Sequence, residues 1–145
     1  LAIKKQGDWV TTLMNFIQEV YEKPFVWGEW DCCVFADEAL YRITGKRVIP
    51  KAISGWKTEK EARETIKKYG KTLGESLHKA ASKAGMEEIE LPYLTTGDLV
   101  CMKSEDGNEL AAICDGQWLF VPTDDGLVNK SKDMALRAWR INEST

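Results

Sequence analysis

The chain has 145 residues, 43% of them hydrophobic and 30% charged, enough to bury one sizeable core as a single domain over residues 1–145 without disulfides or a metal. Its 20 basic and 23 acidic residues leave a net charge of −3, which lacks the basic surplus of a nucleic-acid-binding surface. No apolar run reaches membrane-spanning length, and Leu1-Ala2-Ile3-Lys4-Lys5 is not followed by the apolar stretch of a secretory signal.

In chain order, Asp8 is placed to cap a first helix whose apolar face is Trp9, Leu13, Phe16, Ile17 and Val20, with Pro24 ending it. Asp31 caps a second helix with Val34, Phe35, Leu40, Tyr41 and Ile43 inward, closing at Gly45. Residues 46–56, with Pro50 and Gly55, read as a loop. Thr58 and Glu61 have capping-box spacing and open a third helix that stops at Gly70. Its lysines alternate with Glu59, Glu61 and Glu64, the pattern of a solvated face. A fourth helix over 74–84 turns Leu73, Leu77, Ala80 and Ala84 inward.

From residue 87 the period shortens. Runs at 88–91, 99–103, 110–114, 118–122, 126–128 and 136–141 are separated by turn residues, among them Thr95-Thr96-Gly97-Asp98, Asp115-Gly116 and Asp124-Asp125-Gly126. The Asp124-Asp125 pair before Gly126 is hairpin chemistry rather than a cation site. Short links imply antiparallel hairpins, and helices followed by such a sheet define an α+β chain.

Four cysteines, Cys32, Cys33, Cys101 and Cys114, match neither a disulfide framework nor a zinc spacing. Cys101 and Cys114 read as small buried hydrophobes on neighbouring strands. Cys32 is different, because it directly follows the capping Asp31. A helix start offers free N–H groups and a positive dipole end, which favour a thiolate and can hold an oxyanion. A cysteine nucleophile also needs a general base within hydrogen-bond reach. The single histidine, His78, lies in a Lys/Ala/Ser-rich helix and reads as a surface residue. Trp9, Trp27 and Trp139 fall in apolar patterns and are expected in the core. Trp30, Trp56 and Trp118 are flanked by polar or turn residues and are expected to be partly exposed, as anchors for partner contacts.

Phe25-Val26-Trp27-Gly28 followed by Asp31-Cys32, then Gly97-Asp98-Leu99-Val100, then Leu110-Ala111-Ala112-Ile113-Cys114, resembles the NlpC-type papain-like cysteine peptidases. Those carry an aromatic-x-Trp-Gly turn with Asp-Cys at a helix start, a Gly-Asp-Leu-Val strand, and a strand that opens with the catalytic histidine. The resemblance puts Leu110 at that histidine's place, and Cys32 at the place of the nucleophile. Asp125-Gly126-Leu127 and the ending Ala138-Trp139-Arg140-Ile141 are similar to short phage and prophage proteins encoded among tail-tip and baseplate genes.

The resemblance implies a papain-like fold, with N-terminal helices packed on a C-terminal antiparallel sheet. With Leu110 in place of a base, it implies a catalytically inactive structural component of a phage or phage-like tail tip or baseplate. Such a protein is made in the host bacterial cytoplasm and carried in the virion. Its partners are other tail-tip and baseplate hub proteins, and it takes no cofactor, metal or nucleic acid. Two alternatives remain at this level. One is a cysteine hydrolase acting on cell-wall peptide with an unconventional or partner-supplied base. The other is a thiol acyltransferase using Cys32.

Overall fold

A computed structural model describes residues 3–50, 53 and 56–142. Four helices precede six strands: α1 (Trp9–Glu19), α2 (Cys32–Thr44), α3 (Glu59–Gly70) and α4 (Leu73–Lys83), then β1 (Glu87–Ile89), β2 (Leu99–Lys103), β3 (Glu109–Cys114), β4 (Leu119–Thr123), β5 (Gly126–Lys130) and β6 (Ala135–Arg140). The strands form one antiparallel sheet in the order β1-β6-β2-β3-β4-β5. The α+β expectation holds: among the described residues the four α-helices all precede the sheet, and only short 3-10 turns at Leu91–Tyr93 and Lys132–Met134 interrupt the strands.

Local chemistry explains where the helices start. The Asp31 carboxylate accepts from the Val34 N–H at 2.9 Å, and Gly45 closes α2 in the left-handed region at φ 78°. Thr58 accepts from the Glu61 N–H, while the Glu61 carboxylate accepts from the Lys57 N–H, a reciprocal cap on α3. Thr72 caps α4 in the same way through the Glu75 N–H. Asp8 stands at the start of α1, but its side chain makes no capping bond; the Thr12 hydroxyl donates to its backbone carbonyl instead.

The sheet is buried on both faces. Leu99, Cys101, Ala111, Ile113 and Trp139 meet the helices in the main core. Val100, Met102, Ala112, Cys114, Leu119 and Ala138 form a second cluster on the far face. Cys101 and Cys114 are both fully buried on adjacent strands, as expected, but on opposite faces. Tyr41, expected inside α2, lies outside beneath the Arg47 guanidinium, 4.0 Å from its ring centre. Of the three tryptophans expected in the core, Trp139 is completely buried, whereas Trp9 and Trp27 are half-buried and pack against the core's edge.

The expected exposure of Trp30 and Trp56 is overturned: they are 4% and 6% exposed. Trp30 is drawn inward because its backbone bridges back to Val26, and its ring meets Phe16 and Phe35 edge-on at 6.2 and 5.9 Å. The Lys23 ammonium closes over its ring at 4.1 Å. Trp118 alone of the three keeps the expected exposure, at 37%. In the expected loop, Val48, Ile49, Ile53 and Trp56 are buried; residues 51, 52, 54 and 55, with Gly55, lie outside the described residues.

Candidate active-site cleft

Cys32 is the first helical residue of α2 and is half-buried. The residues before it fold as a tight turn. Gly28 takes φ 76°, a backbone angle that favours glycine. Its N–H donates to the second oxygen of Asp31 at 2.9 Å. One buried carboxylate therefore caps α2 and locks the Trp27-Gly28 turn beside Cys32. The turn is moored to the sheet by the Phe25 N–H, which donates to the Thr123 carbonyl.

Cys32 opens onto a cleft of about 530 Å³. It is lined by Phe25, Trp27, Asp31, Cys32 and Cys33 around the α2 start, by Trp56 and the α3 residues Glu59, Ala62, Arg63, Ile66 and Lys67, by Lys71, Thr72 and Leu73 at the α3–α4 junction, and by Gly107, Asn108, Glu109 and Leu110 at the β2–β3 turn. The indole N–H of Trp56 is buried without an acceptor, as is that of Trp30.

The strand β3 decides which side chains face the helices and the cleft. Side chains alternate across a strand. Ala111 and Ile113 lie on the helix face, whereas Leu110 packs with Ala112 and Cys114 on the far face. The β3 residue that shares the helix face at this end is Glu109, not Leu110. A side chain at 110 is thus aimed away from the cysteine side of the sheet, although Leu110 borders the cleft's rim.

Glu109 is firmly placed. Its Oε1 accepts from the Gly74 N–H in the first turn of α4 at 2.8 Å and lies 3.4 Å from Cys101 Sγ. Gly74 makes room for it: a Cβ there would stand 3.3 Å from that oxygen. A carboxylate on the N–H groups of a helix start is favourable, so Glu109 acts as a second cap on α4.

The three buried cysteines are held as thiols. Burial pushes the Cys101 thiol far up, and the Glu109 carboxylate adds to the push. Cys33 is raised by its hydrogen bond with Cys32 and by complete burial. Burial also raises Cys114, on the far face. Among the described residues no imidazole, guanidinium or ammonium is hydrogen-bonded to Cys32. His78, the sole histidine, is on α4 outside the cleft, where its Nδ1 accepts from the Trp139 indole N–H at 3.1 Å. Its side chain is 41% exposed and lies 3.5 Å from Glu88, in keeping with the expected surface position. Among the described residues no group of three or more His, Cys, Asp or Glu side chains is arranged to hold a metal ion, and no helix is long and apolar enough to cross a membrane.

Four α-helices, with a capped cysteine opening the second, followed by one antiparallel sheet make an α+β fold of the kind seen in NlpC/p60 domains. Two solved structures share that fold. The NlpC/p60 domain of the peptidoglycan hydrolase SagA is 17% identical, with a TM-score of 0.56 over 90% of this chain and 97% of that one. A Staphylococcus aureus subsp. aureus Mu50 protein, similar to lipoprotein and of the NLP/P60 family, is 16% identical with a TM-score of 0.56. There the match covers 96% of this chain but only 43% of the staphylococcal one. At these identities the likeness is one of fold. No curated protein matches. Residues 4–141 match the family model for the domain of unknown function DUF6950, and the chain belongs to that family.

Proposed function

We propose that this chain is a catalytically silent papain-like domain that serves as a structural component, with the tail tip or baseplate of a phage or phage-like particle as its setting. The observation that carries the silent reading is Glu109 on the cysteine-facing side of β3, already bonded to Gly74 and adjoining Cys101. A carboxylate cannot replace imidazole here. It is a far weaker base than imidazole, with reference values of ~4.3 and ~6.5, and so is a poor acceptor for a thiol proton. Its negative charge also repels the thiolate that an imidazolium would hold. The particle setting is supported by the Asp125-Gly126-Leu127 and Ala138-Trp139-Arg140-Ile141 segments of the sequence. Trp118 is the partner-contact candidate, since Trp30 and Trp56 serve the protein's own interior.

The second reading is a working cysteine hydrolase acting on cell-wall peptide. It is favoured by the fold shared with a peptidoglycan hydrolase domain and by Cys32 at the cleft. Acyl transfer from Cys32 meets the same obstacle of thiol activation. One experiment separates them. The purified protein, incubated with muropeptides beside an active hydrolase, is expected to release no product; cleavage that disappears in Cys32→Ala overturns the silent reading.

A register test accompanies it. Leu110→His is expected to leave the rate of Cys32 alkylation near neutral pH unchanged, because position 110 faces the far side of the sheet. Glu109→His is expected to raise that rate severalfold, since a nearby cation favours thiolate. Mass spectrometry of each labelled cysteine reads both results.

A further inference from the structure

The cleft has features that thiol chemistry does not require. Its walls are mainly apolar, supplied by Phe25, Trp27, Trp56, Ile66 and Leu73, and its volume of about 530 Å³ falls within the ~300–1,000 Å³ of small-ligand sites. Apart from the Trp56 indole N–H, which is buried without an acceptor, most polar side chains along it are already hydrogen-bonded within the protein. Asp31 holds the Gly28 and Val34 N–H groups, Glu109 holds Gly74, the Thr72 hydroxyl holds Glu75, and Asn108 is taken up by Arg63 and Asp106. Arg63 is further paired with Glu59. Only Lys67 and Lys71, on the rim at the end of α3, present ammonium groups with no acceptor among the described residues. Lys71 has a φ of 73°, the one positive value on a non-glycine residue among those described, and its backbone sits where α3 turns into α4 at the mouth of the cleft.

We propose that this cleft binds a single apolar acyl chain ending in a carboxylate, with the chain among Trp27, Trp56, Ile66 and Leu73 and the carboxylate at Lys67 and Lys71. The complementarity is specific to that chemistry. A peptide brings an N–H and a C=O per residue, and burying them without partners is costly. With most of the cleft's polar side chains already engaged, a peptide backbone finds few of them. An acyl chain needs none, and gains by leaving water. Its one charged group needs a cation at the rim rather than in the interior, where desolvation would oppose it. The proposal rests on the cleft and not on the catalytic state of Cys32, so its failure leaves the silent reading intact, and the reverse.

The test uses dodecanoate below its micelle concentration as the probe, with tryptophan fluorescence and calorimetry as readouts. Dodecanol, dodecyltrimethylammonium and an N-acetylated tripeptide with an apolar carboxy-terminal residue are the comparison arms. Dodecanoate is expected to bind one to one, about tenfold or more tighter than dodecanol, the scale of one favourable ion contact. The double variant Lys67→Glu/Lys71→Glu changes only exposed side chains, so it is expected to fold normally. It should remove the preference for dodecanoate while leaving dodecanol binding in place. Ile66→Trp, which fills the cleft, is expected to abolish binding of both. Equal affinity for dodecanoate and dodecanol, no effect of the double lysine variant, or tighter binding of the tripeptide each overturns the proposal.

Discussion

Above about pH 8.5 the protein is expected to lose folding stability as the pH rises, through three buried thiols. Cys33, Cys101 and Cys114 are at most 1% exposed, and each has its thiol pushed up in the folded state. Burial is the leading cause for Cys101 and Cys114, and the hydrogen bond with Cys32 leads for Cys33. The sign follows from which state holds the proton. In the unfolded chain each thiol ionises near ~8.5, whereas in the folded protein each is held protonated to higher pH. The stability is therefore complete below about pH 8.5 and declines as the pH rises toward the folded values. Each thiol contributes a slope of at most ~1.4 kcal/mol per pH unit, the limit set by one proton.

Urea midpoints measured under reductant at neutral pH and at two alkaline values check this. Lysines and tyrosines titrate in the same range, so the informative quantity is the difference between variants. Cys114→Ala and Cys101→Ala each create a small cavity and lower stability at neutral pH. Each is also expected to flatten the alkaline slope by up to one proton's worth, ~1.4 kcal/mol per pH unit. Unchanged slopes in both would show that the buried thiols ionise as freely folded as unfolded.

The helices and the fold class could be read from the chain because their signals are local. Asp31, Thr58 and Gly45 sit where capping chemistry needs them, and each does what its position predicts. The face assignment of β3 was not legible. Sequence alternation reveals a face only when one side is polar, and β2 and β3 are buried on both sides. A one-residue slip then exchanges every inward and outward side chain, so the sequence alone could not show which of Glu109 and Leu110 faces the helices. The one available signal was Glu109 itself. A carboxylate at the start of an otherwise apolar strand requires a partner, and Gly74 provides it at 2.8 Å. The tryptophans were misjudged for a related reason. Polar neighbours in sequence say little about burial when the turn folds back, as Val26 and Trp30 do. Trp56 joined the core through residues distant in the chain, which no local pattern encodes.

Arg140→Met is expected to lower stability by about 3 kcal/mol, a fall in melting temperature of roughly 6–12 °C for a domain of this size. Asp98 is completely buried, and Arg140 grips it with two bonds, Nε to one oxygen at 3.0 Å and a terminal nitrogen to the other at 2.9 Å. The pair links the start of β2 to the end of β6, so that the Gly97-Asp98-Leu99-Val100 and Ala138-Trp139-Arg140-Ile141 segments are held by one contact. Asp98 also accepts from the Thr95 N–H, which shapes the turn into β2, the strand that carries Cys101 beneath the cleft. Removing the guanidinium leaves a carboxylate in the interior with one backbone donor. The larger part of the cost is that stranded charge rather than the worth of the pair. Arg140 is about a third exposed (32%), and water reaching Asp98 through the gap keeps the expected loss at the low end of the ~3–5 kcal/mol range for a broken buried pair. The double variant Asp98→Asn/Arg140→Met separates the two contributions. With the charge gone, it is expected to be more stable than Arg140→Met alone, giving a coupling of ~1–3 kcal/mol in a double-mutant cycle. If the double variant loses the sum of the two single losses, Asp98 is not held by Arg140 in solution, and the two motifs are joined by strand pairing alone.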